Sequence, residues 1–187
     1  MAAPAYDDGM KTFEQQLAKY AAYHRDPRNI ATHFVGVPMI MFAVVILLSR
    51  PVLFSIAGLP VSPALLVALA AGLYYLRLHA GTGLLMALVL VGMLWWARQL
   101  AALDTSAWLG WGAGLFVVGW IIQAIGHVFE GRKPAFLDDL VGLIVGPLFV
   151  LCEALFALGL LQQARAAVAA EVGPVRRNRG DRAKLAA

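Results

Sequence analysis

The sequence predicts an all-α, multi-pass transmembrane helical bundle with four full spans and a broken fifth element, preceded by an amphipathic helix. Of its 187 residues, 61% are hydrophobic and 14% are charged, and the mean hydropathy is +0.74. A soluble domain is nearer half apolar and a quarter charged. Uncharged stretches of about 20 residues recur, which is long enough to cross a bilayer. No strand pattern of alternating residues is visible. The predicted parts are a disordered N-terminus (1–10), a helical membrane catalytic domain (11–165) and a basic cytoplasmic tail (166–187).

The first predicted element is a short amphipathic helix over residues 11–25. Phe13, Leu17 and His24 recur there at helical spacing. The spacing places His24 on the apolar face near the end of the helix. This face could lie on the membrane surface or pack against the bundle.

A corner between two helices is predicted where the polar N-terminal segment meets the first apolar run. Pro27 disfavours helical geometry at the residue before it, so the first helix should end near Arg25. Asn29 is a good N-cap, which would place His33 in the first turn of the next helix. Such a corner could point the His24 and His33 imidazoles into one space.

Four apolar stretches give the predicted full spans, at 30–49, 63–78, 83–97 and 107–128. We expect 52–60 to be a loop or a partial helix. The last apolar region, 140–161, contains Gly146-Pro147, where it should bend or re-enter the membrane.

The distribution of positive charge predicts the orientation. Lysine and arginine near the N-terminus place it in the cytoplasm by the positive-inside rule. Alternating spans then bring all four histidines to the cytoplasmic face: His24, His33, His79 and His127. The basic tail should return to the same side: Arg176, Arg177, Arg179, Arg182 and Lys184. We predict a bacterial inner-membrane protein, or an ER-membrane protein if the source is eukaryotic.

Several functional classes are excluded by the sequence. The single cysteine, Cys152, allows no internal disulfide and no thiolate cluster. The charged start, which lacks an apolar core, is not a signal peptide. The basic tail contains no aromatic residue to stack on a base, so no nucleic-acid partner is expected. Neither a His-Glu-x-x-His motif nor a Gly-x-Ser-x-Gly motif is present.

A second polar group lies at the end of the fourth predicted span. Gln123, His127 and Glu130 are at i, i+4 and i+7 and share one helical face. Ionisable groups at such depth usually face a cavity, a partner or a functional path. Together with His24 and His33, His127 would supply the imidazoles that suit Fe, Zn or Cu. A di-iron carboxylate site is disfavoured because it requires two Glu-x-x-His units.

Structural readings of these residues remain open. The corner histidines could be a hydrogen-bonded structural pair. Glu130 could pair with Arg132 or Lys133 at the membrane interface. Glu153, a lone acid in the last apolar region, could pair with Arg77 or Arg98, or contact a metal-bound water.

Two combined motifs resemble the 2-hydroxy fatty acid dioxygenase family. The first is Tyr20-x-x-Tyr23-His24-x-x-Pro27-x-Asn29-x-x-x-His33-x-x-x-x-Pro38. The second is Gly119-Trp120-Ile121-x-Gln123-x-x-Gly126-His127 followed by Phe129-Glu130-x-x-x-Pro134-Ala135-x-x-Asp138. The resemblance covers about Phe13 to Phe156. It implies a non-haem Fe(II) enzyme that uses molecular oxygen to shorten a 2-hydroxy fatty acid by one carbon.

The resemblance also implies roles for individual residues. His24, His33 and His127 match histidines implicated in iron binding and activity, and Glu130 is the further catalytic candidate. His79 matches no fixed position and is a possible fourth ligand. Other matching positions are Asn29, Gln123, Pro134, Asp138 and Glu153. We expect the substrate to be bound by Asn29, Gln123, Arg28 and Lys133.

The expected partners are a 2-hydroxy fatty acid, molecular oxygen and membrane lipid, and a homo-oligomer is left open. Two other functions remain open on the sequence. One is a bis-histidine haem electron carrier, and the other is a non-enzymatic lipid-binding or scaffold protein.

Overall fold

A computed structural model describes residues 12–134 and 140–176. In these ranges the chain forms seven helices and one small hairpin, which confirms the all-α prediction apart from the hairpin. The elements in chain order are α1 (Phe13–Ala21), α2 (Pro27–Ser49), β1 (Phe54–Ile56), β2 (Leu59–Val61), α3 (Pro63–Leu78), α4 (Ala80–Ala101), α5 (Thr105–Glu130), α6 (Val141–Ala157) and α7 (Gln162–Val172).

Three helices, α2, α4 and α5, are long and apolar enough to cross a membrane. Helices α6 and α7 form a bent pair that raises the number to four if the pair is one span. Helix α3, with 16 residues, is slightly shorter than the usual range of about 17–25 residues. The helices therefore fit a membrane protein, whereas the predicted count of four full spans plus a fifth element is not confirmed.

Helix α1 packs against the bundle rather than standing apart from it. Its N-cap, Thr12, exchanges hydrogen bonds with Gln15 in a capping box. Phe13, Leu17 and Tyr20 on its apolar face are buried in the main core. This packing fixes the position of the turn that follows α1, where the first histidine lies.

The predicted corner exists, but its cap differs from the prediction. Helix α1 already ends at Ala21, and the N-cap of α2 is Asp26, whose carboxylate accepts the Arg28 N–H at 2.9 Å. Proline is well suited to the first helical position, so Pro27 starts α2 instead of delaying it. Asn29 therefore lies inside the helix, and His33 lies in the second turn instead of the first.

The segment 54–61 is a β-hairpin, which contradicts both the predicted loop or partial helix and the predicted lack of strands. Its strands pair antiparallel, with Ile56 opposite Leu59. The two turn residues, Ala57 and Gly58, both have positive φ, at 50° and 79°. This is the backbone of the two-residue turns that match strand twist.

The break in the last apolar region lies later than predicted. Helix α6 continues through Pro147, as membrane helices often do when neighbours satisfy the freed carbonyl. The chain turns between α6 and α7, where Gly159 and Leu161 have positive φ, and the two helix axes differ by 115°. The prediction of a bend at Gly146-Pro147 is therefore wrong in position.

Close packing of α2 on α5 brings the two sequence motifs together. A Cβ on Gly119 would lie 3.1 Å from the Gly36 carbonyl oxygen, and one on Gly126 would overlap the Thr32 side chain. Glycines at these points let the two backbones approach, as small residues commonly do between membrane helices. The contact sets the second turn of α2 beside the last turns of α5.

Candidate metal centre

His24 lies in the turn after α1 and is fully buried. Its Nδ1 atom is 2.8 Å from the Tyr20 carbonyl oxygen. Because a carbonyl only accepts, Nδ1 carries the hydrogen, and in the neutral ring Nε2 keeps a free lone pair. The Tyr20 ring stacks on the imidazole with centroids 4.2 Å apart and an angle of 5° between the planes. These two contacts fix the tautomer and the plane of the ring.

His33, in α2, repeats this arrangement. Its Nδ1 atom is 2.8 Å from the Asn29 carbonyl oxygen, so its Nε2 atom also keeps a lone pair. The two Nε2 atoms, of His24 and His33, lie 2.9 Å apart. Two neutral rings in these tautomers cannot hydrogen-bond to each other, so the contact requires either an added proton or a cation.

The burial of the pair disfavours an added proton. Burial holds the pKa of His24 well below its usual value, and the neighbouring His33 lowers it further. The neutral form is the one that ligates a metal. Hydrogen bonds from Nδ1 to backbone carbonyls are also typical of metal-bound histidines.

His127, in the last turn of α5, completes the cluster. Its ring centroid is 5.1 Å from that of His24 and 5.2 Å from that of His33. One ring nitrogen from each of the three histidines lies within 4.8 Å of the others. Its Nδ1 is buried and makes no hydrogen bond within the described part of the chain. Three buried imidazoles in this arrangement could hold a metal ion, and the set suits Fe, Zn or Cu.

The separation of the two Nε2 atoms passes a simple test of fit. Two nitrogens bound at about 2.1 Å to one metal, at a right angle, are about 3.0 Å apart. The observed 2.9 Å is close to that value. A separation of 2.9 Å leaves no room for a porphyrin ring between these two nitrogens.

Glu130 faces the corner instead of joining the three histidines. Its Oε2 atom accepts the backbone N–H groups of Arg25 at 3.0 Å and Asp26 at 2.8 Å, and the Asn29 amide at 3.2 Å. Its other oxygen pairs with Arg176 at 3.0 Å. The observed ion pair therefore involves neither Arg132 nor Lys133. The contacts favour a positioning role, and the catalytic role stays a prediction.

Residues after α7 also contact the corner. The Arg176 N–H donates to the Arg25 carbonyl at 2.8 Å, and the Arg25 side chain donates to the carbonyls of His24 and Gly173. Burial lowers the pKa of Arg25, while Glu153 and Glu130 raise it. Glu153 is therefore near Arg25, and its charged neighbours include neither Arg77 nor Arg98.

The remaining predicted site residues lie beside the cluster, at the corner or near the protein surface. Gln123 is buried beside the cluster, and its Oε1 atom has no hydrogen-bond partner among the residues that the structure describes. Asn29 is fully buried and donates to Tyr23 and Glu130, so it supports the corner. Arg28 pairs with Asp26 at 2.8 Å and lies over the Phe129 ring, and Lys133 is exposed. Asp138 and the tail beyond Arg176 lie outside the described residues.

His79 lies outside the cluster. It is the N-cap of α4, where Nδ1 accepts the Thr82 N–H at 3.2 Å, and its ring stacks on Phe13 with centroids 4.7 Å apart. The described residues thus form a three-histidine group without it. Since α1 contacts His79 through Phe13 and His24 through Tyr20, all four histidines lie towards one end of the bundle.

A cavity of about 70 Å³ opens beside the cluster between α2, α5 and α6. Its polar lining residues are Tyr20, His33, Gln123 and His127, together with the indole of Trp120, and the rest of its described lining is apolar or glycine. Tyr20 begins the first motif but has no role in the site predicted from the sequence. Its position four residues before His24, on the same helical face, is the signal that could have indicated it.

Comparisons with known proteins agree with the motif resemblance. The family model described as 2-hydroxy-palmitic acid dioxygenase Mpo1-like matches residues 10–158. The chain is also 33% identical over 175 residues to 2-hydroxy-palmitic acid dioxygenase MPO1 of Saccharomyces cerevisiae. That alignment covers 91% of this chain and 95% of the yeast protein. No solved structure matches the chain significantly.

Proposed function

The chain belongs to the Mpo1-like family, and on that premise we propose that it is an Fe(II)-dependent dioxygenase of 2-hydroxy fatty acids. The proposed reaction removes C1 oxidatively and gives a fatty acid one carbon shorter, with molecular oxygen as the oxidant. The observation that carries the proposal is the pair of Nε2 atoms, 2.9 Å apart and both without a hydrogen, beside a third imidazole.

His24, His33 and His127 would hold the iron. When bound, Fe(II) supplies the one-electron redox chemistry that lets molecular oxygen react with a closed-shell acid. The protein supplies the rest: fixed imidazole tautomers, a corner held by Glu130, and burial that keeps bulk water from the ligands.

The cavity suits the head of a 2-hydroxy acid. Its volume of about 70 Å³ is roughly half that of a cavity that admits benzene, about 150 Å³. It therefore has room for the carboxyl and hydroxyl carbons but not for a long chain. The free Gln123 Oε1 would accept a hydrogen bond from the 2-hydroxyl group.

The acyl tail would leave the cavity past the apolar side chains of its lining, which include Val37, Ile40, Met41 and Leu143, and continue in the lipid. Each methylene removed from water contributes about 0.8 kcal/mol. Arg28 and Lys133, near the protein surface, would attract the anionic acid to the interface without contacting it in the cavity.

Anaerobic purification, metal analysis and an assay on a 2-hydroxy fatty acid test the proposal together. We expect bound iron, no Soret band, and oxygen-dependent formation of the acid one carbon shorter. A Soret band would instead support the haem carrier, and a protein without metal and without turnover would support a lipid-binding role.

A further inference from the structure

The cavity beside the three histidines is nearly apolar. Among the described lining residues there is no lysine, arginine, aspartate or glutamate. Apart from the imidazoles, its polar groups are the side chains of Gln123 and Tyr20 and the indole of Trp120. A bound carboxylate would thus find no basic side chain of the described protein in this lining. It needs a neutral hydrogen-bond donor.

The Tyr20 ring is held firmly at the wall of this cavity. It stacks on His24 and packs against Phe149 with centroids 5.1 Å apart and against His33 edge-on. The hydroxyl group makes no hydrogen bond to the described residues. It lies against Gly146, where a Cβ would come within 2.8 Å of the oxygen. Glycine at this position therefore leaves room for the hydroxyl.

We propose that the Tyr20 hydroxyl donates a hydrogen bond to the carboxylate of the bound 2-hydroxy acid and so selects acids over neutral lipids. The inference rests on the proposed function, because it names how that substrate is recognised. It makes Tyr20 a substrate-contacting residue as well as a support for the His24 ring.

The chemistry of the two free polar groups assigns each to one part of the substrate. The Gln123 Oε1 atom only accepts, so it suits the 2-hydroxyl group, which donates. A carboxylate only accepts, so it suits the phenol. A tyrosine hydroxyl is protonated at physiological pH, since its ordinary pKa is about 10. A hydrogen bond to a charged acceptor is also stronger than one between neutral groups.

Equilibrium binding to the zinc-loaded, redox-inert protein tests the inference without turnover. The probes are 2-hydroxyhexadecanoic acid and hexadecane-1,2-diol, which keeps the 2-hydroxyl but lacks the carboxylate. Tyr20→Phe retains the stacked ring. We expect it to weaken binding of the acid roughly ten- to hundred-fold and to leave binding of the diol and the zinc content unchanged.

Tyr23→Phe is the matched control, because that ring lies in the groove between α1 and α7, away from the cavity. It should bind both probes as the wild type does. Gly146→Ala is a second test, since the added methyl group would displace the Tyr20 hydroxyl. It should reproduce the selective loss of acid binding even if Tyr20→Phe fails to fold.

Three outcomes would overturn the inference. Unchanged acid binding by Tyr20→Phe would refute it while leaving the proposed function intact. Equal loss of acid binding and diol binding would show that the Tyr20 hydroxyl does not recognise the carboxylate. A wild-type protein that binds no 2-hydroxy acid and does not shorten it would refute both proposals.

Discussion

Replacing Glu130 separates a positioning role from a catalytic one. In Glu130→Ala, the buried N–H groups of Arg25 and Asp26 lose their acceptor and Arg176 loses its ion-pair partner. Each buried donor left without a partner costs about 1–3 kcal/mol, and breaking a buried ion pair costs about 3–5 kcal/mol in total. Since these contributions overlap, we expect the free energy of unfolding to fall by about 3–5 kcal/mol.

Glu130→Gln is the matched variant, because its amide oxygen can still accept the N–H groups although the charge is lost. We expect it to lower stability by less than Glu130→Ala does, because the N–H groups keep an acceptor although the ion pair with Arg176 is lost. We also expect it to weaken metal binding and to retain turnover when metal is in excess. Thermal unfolding in detergent micelles, metal titration and the shortening assay measure the three quantities. Arg98→Gln, an exposed charge at the end of α4, controls for the loss of an ionic group.

One combination of results would contradict the positioning role of Glu130. If Glu130→Gln has wild-type stability and wild-type metal affinity but no turnover, the carboxylate takes part in the reaction. The role as a support for the corner would then be secondary, and the catalytic assignment made from the sequence would stand.

Further predictions concern the ligands, His79 and the topology. His33→Ala and His127→Ala should each lose bound metal and turnover together while remaining folded and membrane-inserted; full metal occupancy with full activity in either would refute the assignment. His79→Ala should keep its metal and lose only about 1 kcal/mol of stability, as expected for an N-cap of α4; equal metal loss would indicate a fourth ligand. Cysteines introduced one at a time at Lys19 and at Lys184, in the basic tail, should both be labelled from the cytoplasmic side, and the buried Cys152 should give little background. Labelling from opposite sides would exclude the predicted orientation.

Much of the architecture follows from hydropathy and helical periodicity. The apolar runs predicted the long helices to within a few residues, and two separate motifs predicted that His24, His33 and His127 would meet. The helices are predictable because they depend on local composition. The histidine cluster is predictable because histidine has a limited range of functions in such motifs.

Other features depend on choices between similar local solutions or on distant partners. Asp26 and Asn29 are both good caps, and only the geometry of Pro27 decides between them. The hairpin has strands of three residues, too short for a pattern of alternation. The partner of Glu130 is Arg176, in a segment whose position depends on the bend between α6 and α7. No local pattern encodes such a contact.

The contacts between the corner and residues 173–176 have a consequence for biogenesis. The chain makes His24 and His33 early, but His127 and then Arg176 emerge from the ribosome much later. At roughly 5–20 residues per second, this interval lasts on the order of ten seconds. During this time His24 and His33 lack the third imidazole, that of His127. The corner also lacks its hydrogen bond and its ion pair with Arg176. Metal loading is therefore expected to follow completion and insertion of the whole chain, so the supply of metal acts on the finished protein and not on the nascent one.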